Sequence, residues 1–132
     1  MPWAFDYAVV RVVPHVEREE FLNVGVILFC DAVDFLEARI ALDEERLRVL
    51  APDADVETVR AYLEAVPRVC AGGAAAGPIG ALSVRERWRW LVSPRSTVLQ
   101  TSAPHSGLCD GPAESLERLV DRLVRVRREK GA

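Results

Sequence analysis

Residues 19–29, Glu19-Glu20-Phe21-Leu22-Asn23-Val24-Gly25-Val26-Ile27-Leu28-Phe29, decide the fold. From Phe21 on, every residue but Asn23 and Gly25 is Phe, Leu, Val or Ile, and Val, Ile and Phe fit a pleated surface. The longest apolar run of the chain, Val24 to Cys30, has strand length and is far shorter than the roughly 20 residues a membrane helix needs. The stretch predicts a buried strand at the centre of a sheet. Upstream, Phe5 to Val13 reads as a second strand with Arg11 interposed, closed by Pro14, which lacks a ladder donor. Pro14 to Glu20 is polar and contains no glycine, which predicts a loop of several residues and not a two-residue turn. Downstream of the polar break Asp31 to Asp34, the segment Phe35 to Leu42 sets Leu36, Ala38, Ile40 and Leu42 against Glu37 and Arg39, the alternation of a strand with one wet face.

Side chains alternate across a strand, so parity predicts two faces. Ala8, Val10 and Val12 share a face with Leu22, Val24, Val26 and Leu28 and with Leu36, Ala38, Ile40 and Leu42, and helices are expected to cover it. Tyr7, Val9, Arg11, Asn23, Gly25, Ile27, Glu37 and Arg39 form a mixed face. A first hairpin centred near Glu17 places Arg11 opposite Asn23 and Val9 opposite Gly25, and a second centred near Ala32 brings Arg39 beside Gly25. Glycine weakens a strand unless a bulge or a close neighbour needs the missing side chain. Gly25 therefore marks a notch between polar residues.

Helical patterns follow. Asp43 to Leu50 reads as a short helix, and Pro52-Asp53-Ala54-Asp55 as a turn ending in an acidic N-cap. Val56, Val59, Tyr62, Leu63 and Val66 recur at helical spacing. Residues 71–78, rich in alanine and glycine, read as a mobile loop. Ser83 and Glu86 fit a capping box ahead of Val84, Trp88, Leu91 and Val92. Ser96 to Ser102 suggests a fourth, edge strand, and Pro112 opens a last helix lined by Leu116, Leu119, Val120, Leu123 and Val126. The order predicts an α+β fold, an antiparallel meander of three to four strands with helices packed on one face, in one domain over residues 1–132.

A chain of 132 residues builds one core, and its net charge of −3 lacks the basic field that draws proteins onto nucleic acid regardless of sequence. Asp6 stands where a signal peptide requires positive charge, which points to the cytoplasm. Cys30, Cys70 and Cys109 are widely spaced and imply neither a disulfide framework nor a paired metal motif. His105, Cys109 and Asp110 lack a second close ligand pair, so no metal is expected. Neither a nucleophile elbow nor a phosphate or dinucleotide glycine motif is present, and no cofactor is implied.

Tyr7-Ala8-Val9-Val10-Arg11-Val12-Val13-Pro14 followed by residues 18–29 resembles a small bacterial family, domain of unknown function 3037, through the spacing of Arg11, Pro14, Glu20, Asn23 and Gly25. Ser93-Pro94-Arg95 and the strand-like stretch after it resemble the second half of the family more loosely. His15, after the proline, departs from the acidic residue expected there. The resemblance implies a short single-domain protein without an assigned activity, and a partner resembling the HipA kinase toxin.

The candidate ligand or partner residues are Arg11, Glu20, Asn23, Gly25, Arg39 and Arg95. A polar notch on a rigid strand pair is suited to an anion or a peptide; the alternative is that Arg11 and Asn23 satisfy backbone groups beneath a covering loop. Arg85, Arg87, Arg89 and Arg95 near Trp88 and Trp90 resemble the interleaving of single-strand nucleic-acid binders, but residues two apart on a helix face different sides. Arg122, Arg125, Arg127, Arg128 and Lys130 suit either a phosphate or the dipole of the last helix. The leading expectation is a non-catalytic accessory or interaction protein. The alternatives are a nucleic-acid or phosphoester binder, including an enzyme, built on the arginine surfaces, and a homo-oligomer joined through Trp3, Phe5, Phe21, Phe29 and Phe35.

Overall fold

The structure, a computed structural model, describes residues 2–95 and 97–126, so Arg127, Arg128 and Lys130 of the expected basic tail lie outside the described residues. Strands β1 (Trp3–Val12), β2 (Leu22–Cys30) and β3 (Phe35–Ile40) form the expected antiparallel meander. Helices α1 (Glu44–Leu50), α2 (Val56–Ala71) and α3 (Val84–Val92) follow, then short strands β4 (Leu99–Thr101) and β5 (His105–Cys109) and helix α4 (Pro112–Leu123). The sheet order is β3-β2-β1-β4, and β5 pairs with the other half of β1, so both lie on the side of β1 away from β2. The α+β class stands, with β5 as an additional strand. Residues 74–81, inside the expected mobile loop and beyond it, form 3-10 turns instead.

Local chemistry explains the helix starts. Asp43 accepts from the Arg46 N–H and Asp55 from the Thr58 N–H, each satisfying a donor that has no intrahelical partner. Ser83 and Glu86 form the reciprocal capping box. Pro112 opens α4, where its missing N–H costs nothing.

One feature of β2 rearranges the faces. Val10 pairs with Gly25 and Arg11 with Asn23, so Val24 is an extra residue with no partner on β1, a β-bulge. Before the bulge, Leu22 and Val24 join Ala8, Val10 and Val12 in the larger core; after it, Ile27 and Phe29 take that face and Val26, Leu28 and Cys30 turn to the other. The expectation that Val26 and Leu28 share a face with Leu22 and Val24 is thereby corrected, because one inserted residue reverses a period of two.

Helices α1, α2 and α3 cover the first face through Leu47, Val59, Leu63, Val66, Trp88 and Leu91, and Trp88 stacks on Phe29 with centroids 5.7 Å apart. On the second face Leu116, Leu119 and Val120 of α4 bury Val26, Leu28, Cys30 and Phe5. Helix covers both faces, which accounts for a strand apolar on both sides from Val24 to Cys30. Among the described residues, no helix is long and apolar enough to cross a membrane.

Candidate functional site

The expected notch dissolves into two separate arrangements. Gly25 lies on the first face, and its cross-strand partners are Val10 and Ile40, not Val9 and Arg39 as the hairpin centring suggested. A Cβ at Gly25 would stand 2.7 Å from both the Arg39 carbonyl oxygen and the Ile40 Cδ1, so its smallness serves strand-to-strand contact.

The polar residues of the second face hold α4. Arg11 is opposite Asn23 as expected. Asn23 Nδ2 donates to the Leu123 carbonyl at 3.1 Å, satisfying one of the carbonyls that α4 leaves without an intrahelical partner. Arg39 reaches Glu37 at 3.2 Å and Glu117 of α4 at 3.5 Å. The Arg11 guanidinium lies 4.2 Å from the centre of the Phe21 ring, a cation–π contact. Arg11 Nε and Asn23 Oδ1 are buried without a hydrogen-bond partner among the described residues. Glu20 is exposed and bound to Arg18 at 2.6 Å, with no ion pair to Arg11 among the described residues.

The remaining candidate, Arg95, sits at a cleft that the sequence left unrecognised. The cleft encloses about 660 Å³ over the first face, between α2, α3 and β4, within the ordinary range for ligand sites. Val10 and Ile27 form its floor; Ala61, Ala65 and Val66 of α2 and Leu91 of α3 form its walls. Leu99 and Thr101 of β4 close the third side, and Tyr62 and Trp90, 51% and 40% exposed, stand at its mouth. The signal for it was in α2: alanines at 61 and 65 lie four apart on one helix face and leave room where larger side chains would fill the gap.

Arg95 is the one charged residue among the described lining. Its guanidinium lies 4.4 Å from the Trp90 ring centre, and it donates to the carbonyls of Leu91 at 3.2 Å and Trp90 at 2.6 Å. Those bonds close the end of α3. They use two of its five N–H groups, and no carboxylate among the described residues pairs with it.

Other arginines are occupied elsewhere. Arg85 pairs with Asp31 and Arg60 with Glu44, while Arg87 donates to the carbonyls of Leu82 and Cys70. Arg125 bridges Glu117 and Asp121, both at 2.6 Å, and these carboxylates raise its affinity for the proton. Trp88 is buried, as helical geometry implied, and Trp90 is not. Cys70 is buried beside Arg87, and burial pushes its thiol up to about 12. Among the described residues no group of three His, Cys, Asp or Glu side chains is placed to hold a metal.

The comparisons with known proteins agree with the resemblance read from β1 and β2. The model of a family described as Protein of unknown function (DUF3037) matches residues 7–124. No curated protein and no solved structure matches the chain.

Proposed function

The chain belongs to the DUF3037 family of proteins of unknown function, and we propose that it is a non-catalytic interaction protein that receives an apolar segment of a partner in the cleft between α2, α3 and β4. The observation that carries this reading is the lining itself. It is apolar apart from Arg95, Tyr62, Gln100, Thr97 and Thr101, and among the described residues it holds no carboxylate, imidazole or thiol. General acid–base chemistry most often uses such groups, and the hydroxyls of Tyr62, Thr97 and Thr101 need an adjacent base to act as nucleophiles. Binding of apolar surface needs neither, and half-exposed Tyr62 and Trp90 are the residue types that dominate interface energetics.

The partner to try first is the one the resemblance implies, a kinase resembling the HipA toxin, in the cytoplasm of a bacterium. Calorimetry with that kinase is expected to give micromolar binding that Ala65→Trp, which fills the cleft, abolishes. No binding, or binding unaffected by a folded Ala65→Trp variant, overturns the reading. The nucleic-acid and phosphoester alternative is weaker because Arg39, Arg60, Arg68, Arg85 and Arg125 are each paired with carboxylates. A phosphate binder would show affinity falling steeply with salt.

A further inference from the structure

β4 is an edge strand whose hydrogen-bonding groups divide between two sides. Val13 donates to the Val98 carbonyl at 2.7 Å and Ser102 to the Val9 carbonyl at 2.9 Å. In an antiparallel pair, residues that exchange bonds alternate with residues that do not. The bonded positions opposite β1 are therefore 98, 100 and 102, and the N–H groups of Leu99 and Thr101 and the Thr101 carbonyl point away from the sheet. The Leu99 carbonyl accepts the Thr97 hydroxyl at 2.9 Å. No other strand pairs with this edge among the described residues. Edge strands are commonly blunted by charge or proline, and Leu99-Gln100-Thr101 contains neither.

The side chains of Leu99 and Thr101 lie opposite Val12 and Val10 and so face the cleft. A strand added outside β4 would send every second side chain toward the cleft mouth at Tyr62 and Trp90. Arg95 stands at the same rim with three N–H groups uncommitted among the described residues. A cation with no carboxylate partner among the described residues, at an apolar cleft, complements a carboxylate next to apolar side chains.

We infer that the segment received in the cleft is an extended acidic–apolar peptide, which pairs its backbone with Leu99 and Thr101, inserts alternate apolar side chains between Tyr62 and Trp90, and sets a carboxylate on Arg95. This rests on the cleft being the binding site, and the two fail differently. Its mode is strand addition, in which backbone bonds give affinity and alternate side chains give selectivity.

The test uses the full chain as bait for a displayed library of random nonapeptides, followed by fluorescence anisotropy with the selected peptides. Expected are sequences alternating apolar residues with at least one Asp or Glu. Arg95→Gln should weaken binding about tenfold, and methylating the peptide nitrogens that face β4 should abolish it. Thr101→Pro, which removes an outward N–H and leaves the β1 bonds in place, should do the same with thermal stability retained. Selection of basic or helical peptides, or of none, overturns the inference. Selected peptides that Ala65→Trp displaces but N-methylation spares would keep the cleft and reject strand addition. Peptides indifferent to Ala65→Trp would reject both. Dodecanoate binding in the cleft with no peptide selected would replace the peptide by a lipid-like carboxylate, and a concentration-dependent dimer abolished by Thr101→Pro would make the added strand a second copy of this chain.

Discussion

Gly25→Ala is the sharpest test of the bulge. Gly25 is not among the glycines with positive φ, so the cost of a side chain there is steric and not conformational. The new methyl would stand 2.7 Å from the Arg39 carbonyl and from Ile40 Cδ1, where 3.4 Å is ordinary contact, so β2 and β3 must part by about 0.7 Å. Ile40 can turn its terminal methyl; the carbonyl is backbone and cannot. The adjacent bond from the Ala41 N–H to the Val24 carbonyl, 2.7 Å long, would stretch to about 3.4 Å, beyond the usual N–H···O range. Overpacking costs about 1–3 kcal/mol and a weakened hydrogen bond about 1 kcal/mol. The sum is about 3 kcal/mol, or roughly 10 °C in Tm for a domain of this size. Urea unfolding followed by tryptophan fluorescence measures it. Gly77→Ala is the control, since nothing lies within 4 Å of a Cβ there and φ +65° with ψ −150° is a region essentially restricted to glycine, so its cost is the backbone alone, about 1–3 kcal/mol. A Gly25→Ala protein within about 0.5 kcal/mol of the parent would refute the close approach.

Three further outcomes follow from the same contacts. Asn23→Ala should cost about 1–2 kcal/mol and speed amide exchange at Val124 and Arg125, whose N–H groups bond to Val120 beside the carbonyl that Asn23 holds. Thr58 holds the Asp55 carboxyl below its ordinary value through its hydroxyl and its N–H, and Ser83 does the same for Glu86. A folded-state pKa below the unfolded one gives stability that is present above the unfolded value and lost as pH falls through the folded value. Urea midpoints should therefore fall between about pH 5 and pH 2, and Asp55→Asn, a cap that does not titrate, should flatten part of that fall. With its thiol pushed up to about 12 by burial, Cys70 should react with an aromatic disulfide reagent at about pH 8 only as fast as the protein opens; rapid reaction of the native protein would show that it is not enclosed.

Strands β1 to β4, the helix starts and the antiparallel order were legible because each has a local cause. Leu36 to Ile40 alternates with Glu37 and Arg39, Ser83 and Glu86 cap one helix, and Asp55 caps another. Gly25 signalled a bulge or a close neighbour, but the reversal of faces was not legible, because Val24 to Cys30 is apolar at every position and such a run keeps the same appearance under a one-residue shift. The same run did carry the information that both faces are covered, which a strand wet on one side would not show. β5 escaped because His105-Ser106-Gly107-Leu108-Cys109 has no β-branched residue, and only pairing with Trp3 to Tyr7 makes it a strand. The candidate residues were legible as polar groups on a sheet, but what they hold was not. Arg39 and Asn23 brace α4, which lies about a hundred positions from Asn23 in the chain. The cleft assembles from α2, α3 and β4, and no single segment announces it.

The bulge also ties the fold to the cleft. Had β2 kept a strict period of two from Leu22, Val26 and Leu28 would face α2 and α3, and Ile27 would face α4. The extra residue at Val24 turns Ile27 onto the first face, where with Val10 it floors the cleft. It also turns Val26 and Leu28 toward Leu116 and Val120, which lets α4 settle where Asn23 and Arg39 can hold it. Gly25 permits this shift because β3 presses against it at the point where parity changes. A variant lacking Val24 would lose only the unpaired residue, leaving Asn23 opposite Arg11 and Gly25 opposite Val10, so that Ile27 keeps the first face and Val26 and Leu28 the second. Such a chain should lose the burial of the Val24 side chain, about 1.5–3 kcal/mol, and retain cleft-dependent binding because Ile27 stays on the floor; loss of binding with the strands still paired would refute this register.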